Sequence, residues 1–118
     1  KINNILKIED CHFLETSKDA FVAWHFDVNK GPVLNLLLSP DHISYSLFSA
    51  KYPDTSNIIT CKYIPNQFCL YNTEIIHSIL NFDKPRYVFT VIFEKGKKGE
   101  LSWEEAKNKL SSMVYYEY

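Results

Sequence analysis

The residues best suited to chemistry are His25 and Asp27, which stand two apart in the run AFVAWHFDV at residues 20–28. The aromatic and β-branched residues of this run predict a strand, and alternate residues of a strand point to the same face. A carboxylate near an imidazole orients the ring and raises its pKa, which suits general acid–base catalysis. The sequence shows no adjacent nucleophile or glycine-lined oxyanion hole. We therefore interpret the pair as two polar residues on a solvated sheet face, and we predict no catalytic residue.

The cysteines and the other histidines give no metal-binding pattern. Cys61, Cys69 and His77 are evenly spaced by eight residues, whereas zinc sites usually use ligand pairs two to four residues apart. Cys11 and His12 are adjacent, so on a strand they point to opposite faces and cannot form a dyad. The sequence therefore predicts no metal site and no cofactor, with two reduced core thiols and a histidine on a helix surface.

Composition disfavours nucleic acids and nucleotides as ligands. The net charge is −1, and Arg86 is the single arginine against 12 lysines. Domains that bind nucleic acids through phosphates are usually strongly basic, and loops that cradle phosphates need several glycines at fixed spacing. This chain has three glycines in all. An RNA-binding module that uses the basic loop Lys95–Lys98 stays as an alternative.

Length and cysteine usage bound the organisation of the chain. Its 118 residues predict one domain, 1–118, with a single hydrophobic core. An odd number of cysteines, three, argues against a disulfide framework, so we expect a reducing compartment, the cytoplasm. The chain contains no run of 18 apolar residues, and no membrane contact is predicted.

Alternation and turn signals predict five main strands and two helices. The strands lie at residues 20–28, 33–38, 43–49, 57–64 and 86–93. The second and third of these should form a hairpin, because a short turn separates them. The helices are expected over Thr73–Phe82, from a stripe of isoleucines, and from the N-cap Ser102 to about Met113.

The alternation also predicts which side chains face the core. In the first strand, Trp24 should be buried and His25 should face outward. In the third strand, Tyr45 and Leu47 should face inward, while Phe48 should face outward together with the serines on either side of Tyr45.

Helices that follow a run of strands are typical of an α+β domain. We expect a single, mostly antiparallel sheet of five to six strands, with both helices packed on one face. The other face should be partly polar and open to solvent. It would gather the outward residues of several strands: His25, Asp27, Asn35, Ser44, Ser46, Thr60, Lys62 and Thr90.

A short, slightly acidic chain that is rich in tyrosine and phenylalanine and has no catalytic machinery resembles, in size and character, the small bacterial immunity proteins that neutralise a toxin. The resemblance implies a non-catalytic protein-binding domain, not an enzyme, whose partner is another protein such as a basic toxin domain. The acidic residues cluster in the first half of the chain, which is compatible with such a partner: Glu9, Asp10, Glu15, Asp19, Asp27, Asp41 and Asp54. A homodimer through an edge strand is compatible with the same interpretation.

The expected binding surface combines exposed aromatic anchors with acidic side chains. Its predicted residues are Phe21, His25, Asp27, Asp41, Phe48 and Asp54. The first alternative is a small-ligand-binding or enzymatic α+β domain that uses His25 and Asp27. In that case a curved sheet and its helices would enclose a pocket lined by Trp24, Tyr45, Tyr63 and His77.

Overall fold

The computed structural model describes residues 1–27, 30–39, 44–49, 57–61, 63–64, 66–94 and 100–116. A single 3-10 turn, Ile2–Asn4, precedes the first strand of this described part. Its strands and its one α-helix follow in chain order: β1 (Ile8–Thr16), β2 (Phe21–His25), β3 (Val33–Leu37), β4 (Ser44–Ser49), β5 (Ile58–Cys61), β6 (Cys69–Tyr71), β7 (Ile76–Asn81), β8 (Arg86–Phe93), α1 (Trp103–Leu110) and β9 (Tyr115–Tyr116).

The strands form two sheets that face each other. One sheet has the order β1-β8-β3-β6-β9 and the other β2-β7-β4-β5, and every pairing is antiparallel except the short one between β6 and β9. From β1 to β4, successive strands lie alternately in the two sheets. A shared core joins the layers, since Val33 and Val88 of the first sheet pack with Phe48 and Cys61 of the second. This arrangement is a jelly roll.

The predicted α+β class is therefore wrong. The described residues contain two packed sheets and one helix, instead of a single sheet covered by two helices. The predicted hairpin is also wrong, because β3 pairs with β6 and β8 while β4 pairs with β5 and β7 of the other sheet. A short connection brings two strands close in sequence, but it does not decide whether they pair within one sheet or cross to the opposite one.

The predicted helix over Thr73–Phe82 is a turn followed by strand β7. The isoleucines at 75, 76 and 79 suit both a helix stripe and a strand, and β-branched residues favour the strand. β7 lies between β2 and β4 and fills the centre of its sheet. The ladder partners on both sides, which no local pattern reveals, decide the outcome.

The alternation of β4 is opposite to the prediction. Ser44, Ser46 and Phe48 are buried, and Phe48 is only 1% exposed, whereas Tyr45 is 40% exposed. The serines face the interior between the sheets, where Ser46 meets the guanidinium of Arg86. The interior is thus partly polar, so the rule that polar residues point outward fails on this strand.

The five predicted strands occur as β2, β3, β4, β5 and β8, and the second predicted helix is α1. The almost continuously apolar run Arg86–Phe93 is strand β8, held between β1 and β3. Helix α1 begins after Ser102, whose hydroxyl accepts a hydrogen bond from the amide of Glu105 at 3.1 Å. The helix buries Ala106 and Leu110 in an apolar cluster with residues of the first sheet. Among the described residues, no helix is long and apolar enough to cross a membrane.

We expect Ser102→Ala to lower the free energy of unfolding by about 0.5–2 kcal/mol, because it removes the side-chain acceptor of the hydrogen bond from the Glu105 amide at the helix start. Urea denaturation followed by circular dichroism measures the change. Ser112→Ala, at an exposed serine beyond the helix, is the matched control and should stay near the parent. Equal stability of the two variants would contradict the capping role.

Candidate metal centre

Two histidines stand opposite each other on neighbouring strands. His25 at the end of β2 pairs with His77 near the start of β7, and their ring centroids are 4.4 Å apart. Three steps along β2, from Val22 to His25, match two steps along β7, from Ile79 to His77. The extra residue is a β-bulge, which shifts the alternation so that Val22 and His25 share a face. Trp24, predicted in the core, is accordingly only half-buried.

Both imidazoles are oriented in the same way by the backbone. Nδ1 of His25 lies 2.7 Å from the carbonyl oxygen of Ala23, and Nδ1 of His77 lies 2.7 Å from that of Ile75. A carbonyl oxygen only accepts, so in each ring Nδ1 carries the proton and donates. Nε2 of the neutral ring then presents its lone pair. This is the orientation that a backbone carbonyl imposes on metal-binding histidines.

Asp27 completes the group just beyond the end of β2. Its Oδ1 lies 3.6 Å from Nε2 of His25, and its Oδ2 lies 4.0 Å from Nζ of Lys30. Its backbone amide donates to the carbonyl oxygen of Thr73 at 3.1 Å. The ligand atoms of His25, Asp27 and His77 all lie within 4.8 Å of one another. Two imidazole nitrogens and one carboxylate oxygen therefore converge on one point.

The protonation state of His77 suits metal binding. Burial lowers the pKa of His77, and the nearby His25 and Lys30 act in the same direction. The hydrogen bond to the Ile75 carbonyl and the charge of Asp27 oppose the shift. Metals bind neutral imidazole, so the lowered pKa keeps His77 in the form that can act as a ligand.

The three residues open onto a cavity of about 170 Å³ between the sheets. Three polar side chains of the facing sheet, Asn35, Arg86 and Thr90, lie in its wall and are linked to Tyr63, which follows β5. Thr90 donates to Oδ1 of Asn35 at 2.8 Å, and Nδ2 of Asn35 lies 3.4 Å from the Tyr63 hydroxyl. Arg86 Nη2 donates to the same hydroxyl at 3.0 Å. The cavity therefore combines the three potential ligand residues with a hydrogen-bonded set of polar side chains.

Arg86 is a buried cation without a counter-ion among the described residues. It is 5% exposed, its Nη2 contacts Ser46 Oγ at 3.5 Å as well as Tyr63, and its Nε has no hydrogen-bond partner in the described part of the chain. Burial raises the pKa of Tyr63, with Arg86 opposing the shift, so the phenol stays neutral and does not balance the charge. A buried charge is costly unless it is paired. An anionic group entering the cavity would supply that pair.

The structure brings part of the predicted polar face together, but inside the protein. His25, Asp27, Asn35 and Thr90 line the cavity. These four residues were predicted to share the outer face of a sheet, and they instead share the space between the two sheets. Of the pocket predicted in the alternative, Tyr63 and His77 line the cavity.

The remaining predicted binding residues are dispersed. Phe48 is buried with its ring 4.7 Å from Tyr71 and 5.9 Å from His77, so it is no surface anchor. Phe21 is 58% exposed on β2. Asp41, Asp54 and the loop Lys95–Lys98 lie outside the described residues.

Sequence reasoning placed His77 in a pocket only in its alternative, did not recognise it as a metal ligand, and missed Arg86. It assigned His77 to a helix surface and to the even spacing with Cys61 and Cys69, but the two thiols pack on each other in the core at 3.8 Å. One signal in the sequence for a ligand set was His25 and Asp27, two residues apart, followed later in the chain by His77. The other signal was the position of the single arginine at the start of a strand that is otherwise apolar.

Comparison with known proteins bears on the fold. No protein-family model matches the chain, and no curated protein sequence is significantly similar to it. The fold is similar to the crystal structure of a Pseudomonas putida prolyl-4-hydroxylase, with a TM-score of 0.50 and 20% sequence identity. The match covers 78% of this chain and 57% of that one, so the chain spans little more than half of the hydroxylase.

These findings correct the predicted function. The fold is shared with an enzyme, and nothing in the comparisons or the described structure supports an immunity protein or toxin inhibitor. The prediction of a non-catalytic protein-binding domain, and with it "not an enzyme", is wrong. The alternative that assigned an enzymatic site to His25 and Asp27 agrees better with the structure, although its α+β class does not.

We expect the free energy of unfolding of the metal-free protein to fall as the pH decreases below about 6.5, the pKa of an unfolded histidine. In that range the unfolded chain takes up a proton at His77, while the folded chain, whose His77 pKa is lowered, does not. Urea denaturation between about pH 7 and pH 5 measures this slope.

His77→Gln should flatten this pH dependence because it removes the titrating group. His12→Gln, at an exposed histidine, should leave the slope unchanged. If the parent and His77→Gln lose stability equally on acidification, the assignment is wrong.

Proposed function

We propose that this chain is a mononuclear non-haem Fe(II) oxygenase domain that hydroxylates a C–H bond. The observation that carries the proposal is the convergence of His25, Asp27 and His77 on one point at the mouth of a polar cavity. Two histidines and one carboxylate on one face of a metal, with the other positions open, are diagnostic of non-haem Fe(II) oxygenases. The fold that the chain shares with a prolyl-4-hydroxylase is compatible with this assignment.

The donor set fits Fe(II) better than a structural zinc ion. Structural zinc sites use four ligands and are usually rich in cysteine. Cys61 and Cys69 are buried in the core cluster and neither belongs to the group of converging ligand atoms. Nε2 of His25, Nε2 of His77 and one oxygen of Asp27 would hold the metal. When bound, Fe(II) activates dioxygen with two electrons supplied by the oxidative decarboxylation of a 2-oxo acid.

Arg86 indicates that the co-substrate carries an anionic group. Its buried guanidinium has no carboxylate partner among the described residues and faces the same cavity as the ligand triad. A 2-oxo dicarboxylic acid that binds the metal through its 2-oxo carboxylate would have a second carboxylate for Arg86. The arginine and the Tyr63 hydroxyl could both donate to that carboxylate. The co-substrate would then supply the counter-ion that Arg86 lacks among the described residues.

Metal binding is the first test. We expect the protein to bind one equivalent of Co(II), a spectroscopic substitute for Fe(II), and His77→Ala or Asp27→Asn to weaken binding by more than about 100-fold. That figure is the upper end of the effect of losing a residue that only supports a ligand. Titration followed by visible absorption measures the affinity.

The pair Asp10 and His12 offers a matched control, since these residues also lie within 3.3 Å of each other but on the exposed strand β1. Asp10→Asn with His12→Ala should leave Co(II) binding unchanged. Equal affinity in the parent and the Asp27 variant, or no binding in the parent, contradicts the metal centre.

The second test concerns the co-substrate. With Fe(II) bound, we expect the parent to bind 2-oxoglutarate tightly and pyruvate, which lacks the far carboxylate, weakly. Arg86→Met should abolish this preference while metal binding persists. A hydrogen bond to a charged group is worth about 1.5–3 kcal/mol, or roughly 10–100-fold in affinity. The charge-transfer absorption of a 2-oxo acid chelated to Fe(II) reports binding.

Arg86→Lys keeps the charge and should retain part of the preference. If the parent does not distinguish the two acids, or if Arg86→Met distinguishes them as well as the parent does, Arg86 is not the carboxylate anchor.

A further inference from the structure

We propose that Thr73 is a positioning residue that holds the ligand Asp27 close to His77, by tying the connection that carries Asp27 to the turn before β7. The inference rests on the proposed metal centre. Thr73 lies in the turn between β6 and β7, is 2% exposed and lines the cavity. Asp27 lies in the connection between β2 and β3. His77 is fixed within β7 by ladder partners on both sides, His25 and Phe48, whereas Asp27 lies beyond the last residue of β2.

Thr73 clamps the connection that carries Asp27 at two points. Its carbonyl oxygen accepts from the amide of Asp27 at 3.1 Å. Its hydroxyl donates to the carbonyl oxygen of Gly31 at 2.8 Å, with the carbonyl oxygen of Lys30 at a longer 3.5 Å. The two ends of the segment 27–31 are therefore tied to one residue. The carboxylate of Asp27 takes its position from this clamp, because it follows the last residue of β2.

The same residue lies in the turn that orients His77. Asn72 Oδ1 accepts from the amide of Glu74 at 3.2 Å and shapes the turn. Ile75, two residues after Thr73, supplies the carbonyl oxygen that fixes Nδ1 of His77 at 2.7 Å. A displacement of Thr73 would therefore reach Asp27 through hydrogen bonds, while β2 and β4 on either side hold His77 in place.

The hydroxyl of Thr73 donates to the buried connection that carries Asp27. Gly31 is buried, and its carbonyl oxygen would lose the 2.8 Å hydrogen bond if residue 73 had no hydroxyl. A buried carbonyl that loses its partner pulls the chain toward another donor or toward water. The segment 27–31 would shift, and Asp27 Oδ1 would move away from the point on which the two Nε2 atoms converge. The expected cost is about 10–100-fold in metal affinity, as for other residues that orient ligands.

The test compares three variants with the parent by Co(II) titration and by the visible d–d spectrum of the bound ion. Thr73→Val keeps the shape and removes the hydroxyl, so it should weaken binding about 10–100-fold and alter the spectrum. Thr73→Ser keeps the hydroxyl and should restore both. Thr90→Val is the matched control, since it removes an equally buried hydroxyl bond in the same cavity, to Asn35, without touching a ligand. It should leave the Co(II) affinity and spectrum unchanged.

The outcomes separate this inference from the proposed function. If the parent binds no Co(II), the metal centre itself fails. If the parent binds Co(II) and Thr73→Val matches it in affinity and spectrum, only the role of Thr73 fails. An effect of equal size in Thr90→Val would also overturn it, because the loss would then follow from any buried hydroxyl. Thr73→Ala replaces the valine variant if that one does not fold, and failure of both to fold overturns the inference in favour of a purely structural role.

Discussion

The pairing of His25 with His77 across β2 and β7 is the constraint on which the site depends. Residues directly opposite on antiparallel strands share a face, so one register brings both imidazoles to the interior. Without the bulge between Val22 and His25, either His25 or His77 would point to the outer surface. The hydrophobic pattern of a strand does not reveal its bulge, because a residue is extra only relative to the pairing with the partner strand.

A cavity with polar groups in its wall follows from this constraint. The space between the sheets holds a cluster of potential ligand atoms and an arginine without a carboxylate partner among the described residues, neither of which contributes to stability as an apolar core would. Apolar packing surrounds this cavity: Val33 and Val88 pack with Phe48 and Cys61 between the sheets, and α1 covers the first sheet with Ala106 and Leu110. Large apolar side chains also reach the surface, with Phe13 on β1 the most exposed of the described ones.

The site sits where two connections between the sheets come together. Asp27 follows β2 and Thr73 precedes β7, and a hydrogen bond between their backbones joins the two connections. Functional residues on loops need a rigid framework beneath them, and here the two sheets provide it. In the proposed site, the strands place the two histidines, and the link to Thr73 holds the connection that carries the carboxylate of Asp27.

The sequence by itself determined several local features: strand β8 from its apolar run, helix α1 from Ser102, and the shared face of His25 and Asp27. It also grouped Asn35, Ser46 and Thr90 with that pair, because all are polar residues on strands. Only the tertiary structure decided that this polar group lies inside, that residues 76–81 form a strand, and that β3 and β4 belong to different sheets. The physical reason is that a jelly roll is held by pairings between strands far apart in the chain. Local periodicity gives the spacing of side chains along a strand, but the partner strands decide the register, and the register decides which face encloses the cavity.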